Sequence, residues 1–213
     1  MTQAAIGTVA CPTWFGKRAF DLATATLLQL VFLPLMALLA LAVKLTSPGP
    51  VLFRHERIGR GGQPFAMLKF RSMEAAAEQR LAATPALFEA YVGNDHKLAT
   101  AVDPRVTGLG RFLRLSSLDE LPQLFNVLAG HMSLVGPRPV TSHEFPMYGH
   151  HDRAYLELRP GLTGLWQVSG RNAIRFPQRA EIDADYWRRC GPFLDLRILA
   201  TTPVAVLTRR GVK

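Results

Sequence analysis

The sequence predicts an α+β protein that is mostly helical, with an N-terminal re-entrant membrane helix, a small β-hairpin and amphipathic interfacial helices. Three observations support this fold class. Residues 22–43 contain no charged side chain, two short predicted strands flank a glycine-rich turn at 59–62, and helical patterns fill most of the remaining chain. We expect an N-terminal arm at 1–16, a membrane segment of helix, break and helix at 17–46, and a cytosolic domain at the membrane surface at 47–213.

Composition narrows the function classes. The chain has 213 residues, of which 48% are hydrophobic, and this excludes a disordered chain. Lysine and arginine number 25 against 16 acidic residues, so the net charge is +9 and the surface suits phosphate-bearing partners. Only two cysteines are present, Cys11 and Cys190, which is too few for a disulfide framework or a cysteine-based zinc site.

The apolar run at 22–43 has the length of a membrane helix. As a straight helix it measures about 33 Å, against a hydrocarbon core of about 30 Å. Pro34 divides the run, because proline removes a helix hydrogen bond, and each arm is too short to span alone. Lys17 and Arg18 precede the run, and Lys44 and Arg54 follow it. Because basic flanks prefer the cytoplasm, we expect a hairpin bent at Pro34 with both ends cytosolic.

Three alternatives compete with this hairpin. A straight span would leave one basic flank outside the cytoplasm. A cleaved signal peptide would use residues 40–42, whose small residues resemble a cleavage site, but the run is long for a signal core and basic residues follow it at once. A buried helix of a soluble core is less consistent with an apolar run of this length.

The remaining elements follow from local patterns. A Ser-Pro-Gly-Pro break at 47–50 precedes the strands, which are predicted at 51–57 and 65–71. Composition and apolar pattern predict helical segments at 73–81, part of 84–100, 111–114, 121–128, 181–189 and 193–207. Glycine and proline predict turns or loops at 103–110, 133–139 and 159–172. The amphipathic tail at 193–207 suits either a bilayer surface or closure of the core.

Two adjacent carboxylates, Asp119 and Glu120, stand out at a predicted helix start. A capping box would use Ser117 as the N-cap residue and Glu120 three residues later. Pro122 favours another interpretation, because proline prefers the first helical position and would place both carboxylates in the turn before the helix. There they could attack a phosphoryl group or hold Mg²⁺.

Several cationic residues are candidates for phosphate contacts. Arg138 lies between two prolines, and a guanidinium restricted in this way suits phosphate, although a solvated arginine in a tight turn is the alternative. Lys69 ends the second strand, and the pair Arg171 and Asn172 follows a glycine-rich loop. Each of these could contact phosphate or lipid headgroups, or simply be a charged end of an element.

Two other site classes are disfavoured. His150 and His151 are adjacent rather than four residues apart, so the histidines do not predict a zinc site. Arginine and aromatic residues do not interleave as they do in single-strand binders, and we expect no nucleic-acid partner.

Together these motifs resemble the bacterial sugar transferase family, the monotopic phosphoglycosyl transferases, in its minimal form. The resemblance covers nearly all of residues 17–210 in order. The matching runs are 17–21, 49–53, 69–73, 103–107, 117–128, 132–139, 159–164 and 170–172. One departure is Leu33 before Pro34, where the family often has serine.

The resemblance implies a reaction and roles for residues. The family transfers a sugar 1-phosphate from a UDP-sugar to a polyprenyl (undecaprenyl) phosphate, releases UMP and initiates the synthesis of a surface glycan such as exopolysaccharide, lipopolysaccharide or capsule. By resemblance, Asp119 is the nucleophile that forms an aspartyl-phosphosugar, and Glu120 holds the cofactor Mg²⁺. Lys69, Arg114 and Arg138 would contact phosphate groups by the same resemblance, and Arg171 and Asn172, taken from the glycine-rich loop, complete the predicted substrate-binding set.

The same resemblance gives a location and partners. The domain at 47–213 would be catalytic and would face the cytosol at the inner membrane, with a UDP-sugar donor, a polyprenyl phosphate acceptor and membrane lipid as partners. The resemblance leaves open whether the protein forms a homodimer. The competing function classes are a non-enzymatic membrane-anchored scaffold and a soluble hydrolase of nucleotide sugars.

Overall fold

One long helix, α1 (Lys17–Thr46), dominates the N-terminal region. The structure is a computed structural model that describes residues 13–93, 98–100, 102–170 and 173–208. At 30 residues, α1 is about 45 Å long. Helical hydrogen bonding is assigned on both sides of Pro34, which lies inside α1, and the predicted bend at this residue stays a prediction. A proline costs one backbone hydrogen bond, and packing of both halves of α1 against the rest of the molecule compensates for it.

Both ends of α1 are attached to the same folded domain. Near its start, the Lys17 ammonium lies 2.6 Å from an oxygen of Asp195. Just past its end, Arg71 donates from Nη2 to the carbonyl oxygen of Ser47 at 2.6 Å. Between these points α1 is long and apolar enough to cross a membrane, yet only 22% of its apolar stretch is buried, unlike the core helix of a soluble domain. The re-entrant course stays a prediction.

The predicted hairpin is present. Strands β1 (Leu52–Ile58) and β2 (Pro64–Phe70) pair antiparallel and are joined by a 3₁₀ turn at Arg60–Gly62. In the register, Phe53 is opposite Lys69, His55 is opposite Met67, and Arg57 is opposite Phe65. Because side chains alternate along a strand, these pairs share one face of the hairpin.

Eight shorter α-helices follow in the described residues. They are α2 (Ala77–Ala83), α3 (Pro85–Val92), α4 (Gly108–Ser116), α5 (Gln123–Leu128), α6 (Asp152–Leu156), α7 (Leu165–Ser169), α8 (Gln178–Arg189) and α9 (Pro192–Leu207). Two further 3₁₀ turns lie at Leu118–Glu120 and Phe145–His151. The predicted helices at 181–189 and 193–207 are confirmed, whereas those predicted at 73–81 and 121–128 begin later than expected, at Ala77 and Gln123.

The predicted loops at 133–139 and 159–172 are partly wrong. They contain β3 (Ser133–Val135) and β4 (Gly161–Thr163), which pair in parallel, and also helix α7. Gly136 and Gly161 lie at this crossing, where a Cβ on either glycine would collide with the backbone of the other segment. These glycines therefore allow two backbones to pack closely, and the local sequence could not show this because the partner strand is remote.

The core lies where α1 meets these elements. Buried side chains of α1, β2, α5, β3, α8 and α9 form one apolar cluster. A second cluster joins the later half of α1 to Phe70 of β2 and Leu113 of α4. The hairpin, α4 and α5 are therefore fixed side by side, and the charged motifs lie at their junction.

Candidate active site

The backbone places Asp119 and Glu120 in a turn between two helices. Helix α4 ends at Ser116, and Ser117 follows as its C-cap residue with a left-handed φ of 59°, an uncommon conformation for a residue other than glycine. The 3₁₀ turn Leu118–Glu120 follows, and Pro122 then occupies the position directly before α5. The side chain of Ser117 makes no capping hydrogen bond there, so the capping-box interpretation is wrong. Both carboxylates precede the helix, as Pro122 predicted.

Lys69 joins the two carboxylates across the end of β2. Its Nζ lies 2.7 Å from Glu120 Oε1 and 3.9 Å from Asp119 Oδ2. Arg138 approaches the same Glu120 oxygen, with its Nη2 at 3.6 Å. Four of the residues predicted from the sequence therefore meet in one place, although they come from three distant parts of the chain.

Arg114 reaches the site from α4. Its Nε donates to Ser72 Oγ at 2.8 Å. This contact requires α4 to lie close to the chain after β2, and Gly110 permits it, because a Cβ at this position would overlap the backbone of Ser72. The small residue one turn earlier thus sets the position of the guanidinium.

Asn126 connects α5 to the hairpin and was not singled out from the sequence. Its Oδ1 accepts from the backbone N–H of Leu68 at 2.9 Å, and its Nδ2 donates to the carbonyl oxygen of Ala66 at 2.8 Å. One side-chain amide thus supplies hydrogen-bond partners for two backbone groups of β2 next to Lys69. It fixes the distance between that strand and the turn that carries Asp119.

Burial controls the charge state of Asp119. Removal from water raises the pKa of this carboxyl to about 6, with Glu120 adding to the effect and the cation of Lys69 opposing it. Within the described residues, no hydrogen bond to the Asp119 carboxylate is present. A carboxylate in this state is ionised near neutral pH and is not held by other donors, which suits a nucleophile.

A cavity of about 1150 Å³ opens onto these groups. Its charged lining includes Lys69, Arg114, Asp119, Glu120 and Arg138, and also Arg71, Glu74 and Glu78. Its apolar lining comes from α1, α7 and α9 and includes Leu28, Phe32, Trp166, Val168, Leu199 and Val206. One cavity therefore has both a charged surface and an apolar surface.

Two further residues in or beside the cavity, His55 and Arg57, were not singled out as site candidates from the sequence. His55 lines the cavity, and Arg57 Nη2 lies 3.2 Å from its Nδ1. Burial, followed by the charge of Arg57, lowers the pKa of His55 to about 4. The alternation of strand β1 could have indicated both residues, because they share a face with Lys69. The predicted residues Arg171 and Asn172 lie outside the described residues.

The donor set is consistent with Mg²⁺ only in combination with a substrate. Across the described ranges, no group of three or more histidine, cysteine or acidic side chains could hold a metal ion. Mg²⁺ is commonly held by one or two carboxylates together with substrate phosphates and water. Asp119 and Glu120 meet that minimum, and Glu120 is the more exposed of the two, at 22% against 10% for its neighbour.

Comparison with known proteins identifies a family and several relatives that are similar over most of the chain. The sequence matches the family described as bacterial sugar transferase over residues 12–209. It is 43% identical over 199 residues to the exopolysaccharide production protein ExoY of Rhizobium meliloti, covering 92% of this chain and 87% of that protein.

Two longer relatives carry more specific names. The undecaprenyl-phosphate galactose phosphotransferase of Salmonella typhimurium is 43% identical over 92% of this chain, which spans 41% of that relative. The UDP-glucose:undecaprenyl-phosphate glucose-1-phosphate transferase of Caulobacter vibrioides is 43% identical over 90% of this chain and 70% of its own length.

Proposed function

Since the chain belongs to the bacterial sugar transferase family, we propose that it transfers a sugar 1-phosphate from a UDP-sugar to undecaprenyl phosphate and releases UMP. The observation that carries this proposal is the single cavity in which a buried carboxylate, Asp119, lies with Lys69, Arg114 and Arg138 beside an apolar lining. A phosphate-rich donor and a lipid phosphate each find matching chemistry there.

The charged lining suits phosphoryl transfer. Such reactions depend mainly on positioning and on neutralising phosphate charge, which three cations around one carboxylate can do. Lys69 is paired more closely with Glu120 than with Asp119, at 2.7 Å against 3.9 Å, so it leaves the Asp119 oxygen available.

In the first step, a carboxylate oxygen of Asp119 attacks the phosphorus that bears the sugar. A new bond forms between this oxygen and phosphorus, and the bond from that phosphorus to the UMP oxygen breaks, with the electron pair leaving on UMP. In the second step, a phosphate oxygen of the acceptor attacks the same phosphorus and Asp119 leaves as a carboxylate. The product is a polyprenyl diphosphate sugar.

Magnesium would act at the same place. Glu120 would hold Mg²⁺ together with phosphate oxygens of the donor, and the bound ion would neutralise charge on the phosphates. Arg138, 3.6 Å from the same carboxylate, would then contact phosphate beside the ion.

The apolar lining suits the acceptor, whose head is anionic and whose tail is hydrocarbon. The side chains from α1, α7 and α9 provide an apolar path beside the charged groups. A soluble hydrolase of nucleotide sugars would have no use for such a path, and a scaffold would have no use for the buried carboxylate.

The attachment of α1 favours a membrane course with both ends on one side. Lys17 at one end and Ser47 beyond the other are bonded to the same domain, so a full crossing would pull one of them away. Large apolar side chains of α1 are nevertheless exposed, among them Leu27, Leu30, Leu38, Leu41 and Leu45. We therefore retain the re-entrant course, at the inner membrane with the catalytic domain in the cytosol.

The decisive experiment has two parts, with the full chain in lipid nanodiscs. Purified protein is supplied with Mg²⁺, undecaprenyl phosphate and a panel of UDP-sugars, and UMP release is measured. With the acceptor withheld, mass spectrometry should find one sugar phosphate on the peptide that contains Asp119, and none in Asp119→Asn. Failure to release UMP from any UDP-sugar contradicts the proposal, and sustained release without acceptor indicates a hydrolase instead.

A further inference from the structure

His55 occupies a place in the cavity that the proposed reaction does not yet use. It lies on β1 opposite Met67, two pairs along from Phe53 and Lys69, so it shares the face of the hairpin that presents Lys69. Its ring is half-buried and lines the same cavity as Asp119 and Glu120.

The neighbouring arginine determines which ring nitrogen carries the proton. Arg57 Nη2 lies 3.2 Å from His55 Nδ1. A guanidinium has only donors and stays protonated, so Nδ1 must accept this hydrogen bond with its lone pair. In a neutral imidazole the hydrogen is then on Nε2. No partner for Nε2 is present among the described residues.

Arg57 is itself held in place. Its Nη1 donates to Glu144 Oε2 at 2.9 Å and to the carbonyl oxygen of Pro139 at 3.3 Å. Pro139 directly follows Arg138, so the orientation of the His55 ring is coupled to the segment that carries a phosphate-binding candidate. Only 13% of the Arg57 side chain is exposed, which restricts the guanidinium to this arrangement.

The charges around His55 keep the ring neutral. Arg57 on β1, Lys69 on β2 and Arg138 after β3 all oppose a second positive charge, and Glu144 alone favours one. Burial acts in the same direction as the cations, and the resulting pKa of about 4 leaves the imidazole uncharged at cytosolic pH. His55 can therefore offer a hydrogen-bond donor without adding charge, and it is unsuited to act as a general acid or base.

We propose that His55 donates a hydrogen bond from Nε2 to a phosphate oxygen of a substrate, with Arg57 as the positioning residue that fixes the donating tautomer. This inference rests on the proposed function, because it is the phosphate chemistry of the cavity that identifies the acceptor atom. The cavity already carries the cations Lys69, Arg114 and Arg138. A neutral donor orients a phosphate group through a directional hydrogen bond, and it adds no positive charge that would hold the product and slow its release.

Three substitutions separate this role from simple packing. In His55→Gln the side-chain amide nitrogen reaches the place of Nε2, in His55→Asn it reaches only the place of Nδ1, and His55→Ala removes both. We expect His55→Gln to keep KM within about threefold of wild type. His55→Asn and His55→Ala should raise KM by about 10- to 100-fold, the range for a hydrogen bond to a charged group, with a smaller change in kcat.

Two arms distinguish the phosphate concerned. The first arm varies the concentration of the UDP-sugar and measures UMP release in the first turnover without acceptor. The second arm varies the concentration of undecaprenyl phosphate while the donor is saturating. A KM effect in the first arm identifies the donor, and one in the second identifies the acceptor. Unchanged KM in both arms for Asn and Ala, or equal losses for Gln and Asn at matched melting temperatures, overturns the proposal.

A measurement that needs no turnover tests the tautomer directly. In protein labelled with ¹⁵N-histidine, the signal lost in His55→Gln should show a protonated Nε2 and an unprotonated Nδ1 at pH 7. A protonated Nδ1 overturns the inference and leaves the transferase proposal intact. A wild type that shows the expected tautomer but neither binds nor turns over any UDP-sugar contradicts both proposals.

Discussion

At the base of α1, Lys17 Nζ lies 2.6 Å from Asp195 Oδ2 and 4.0 Å from Asp21 Oδ1. These three residues, the root cluster, are closed to solvent, with side-chain exposures of 7%, 0% and 3%. The two carboxylates also accept hydrogen bonds from neutral donors. Tyr186 donates to Asp195 at 2.7 Å, and Ser133 donates to Asp21 at the same distance.

The site cluster of Lys69, Asp119 and Glu120 has almost the same ionic distances, 2.7 Å and 3.9 Å, and a different environment. It opens onto a large cavity, and 18% of its lysine is exposed. The carboxylate of Asp119 receives no hydrogen bond from the described residues. Buried charges stabilise a fold when their hydrogen-bonding capacity is satisfied, and a carboxylate left unsatisfied is available for chemistry. The comparison therefore separates a structural ion cluster from a reactive one.

The sharpest way to break the site cluster is Asp119→Asn. We expect the rate of UMP release to fall by about 10⁴-fold or more, which is the typical loss of rate when an enzyme loses its nucleophile. The melting temperature should stay the same or rise, because a neutral amide of the same shape avoids burying a charge. Asp185→Asn, on the exposed face of α8, is the matched control and should leave both quantities unchanged. Near-normal turnover in Asp119→Asn would remove the proposed nucleophile.

Breaking the root cluster should affect folding instead. Lys17→Met leaves the buried carboxylates of Asp21 and Asp195 without their cation, and the free energy of unfolding should fall by about 3–5 kcal/mol. Thermal melts in nanodiscs measure this loss, and activity should decline only with the folded fraction. Lys44→Met changes an exposed lysine of the same helix and should melt like wild type. Equal melting temperatures for the two variants would show that the root cluster contributes no stability.

The pH dependence should distinguish the reactive cluster further. Since the pKa of Asp119 is raised to about 6, the nucleophile is lost as pH falls through that value. First-turnover UMP release without acceptor should drop about tenfold per pH unit below it. Lys69→Met should move the midpoint upward, because the cation that favours the carboxylate is gone. A profile that is flat from pH 5 to 8 would contradict the assignment.

Folding stability should depend on the same group in the opposite sense. The raised pKa of Asp119 means that the folded chain binds this proton more tightly than the unfolded chain does. Stability relative to Asp119→Asn should therefore decrease as pH rises from about 4 to about 6. Melting curves of the two proteins across this window measure the difference. A relative stability that increases as pH rises would contradict the burial argument.

The smallest effect sharpens the comparison at the edge of the site. Ser72→Ala removes the hydroxyl that accepts from Arg114 Nε, and we expect KM for the UDP-sugar to rise about fivefold, equivalent to about 1 kcal/mol. Ser169→Ala, an exposed serine on α7, serves as the control. If the two variants bind donor equally well, the Ser72 contact does not orient the guanidinium.

Much of the site could be anticipated from local chemistry. Pro122 placed Asp119 and Glu120 before a helix, and the proline-bounded Arg138 and the strand-end Lys69 were candidates for phosphate contacts; the structure brings these residues together around one cavity. Their roles in the reaction stay predictions. Asn126 could not be found in this way, because the two carbonyl and amide groups that its side chain binds belong to a strand about sixty residues earlier.

The sequence by itself determined the long apolar helix, the hairpin, the family and the charged residues of the motifs, because each depends on composition or spacing over a few residues. The tertiary structure alone decided the rest. It made strands of segments with a loop-like composition, closed the root cluster and left the site cluster open. It also placed His55 in the lining of the cavity, with Arg57 beside its Nδ1. The physical reason is that burial, hydrogen-bond satisfaction and charge environment are set by neighbours that are remote in the chain.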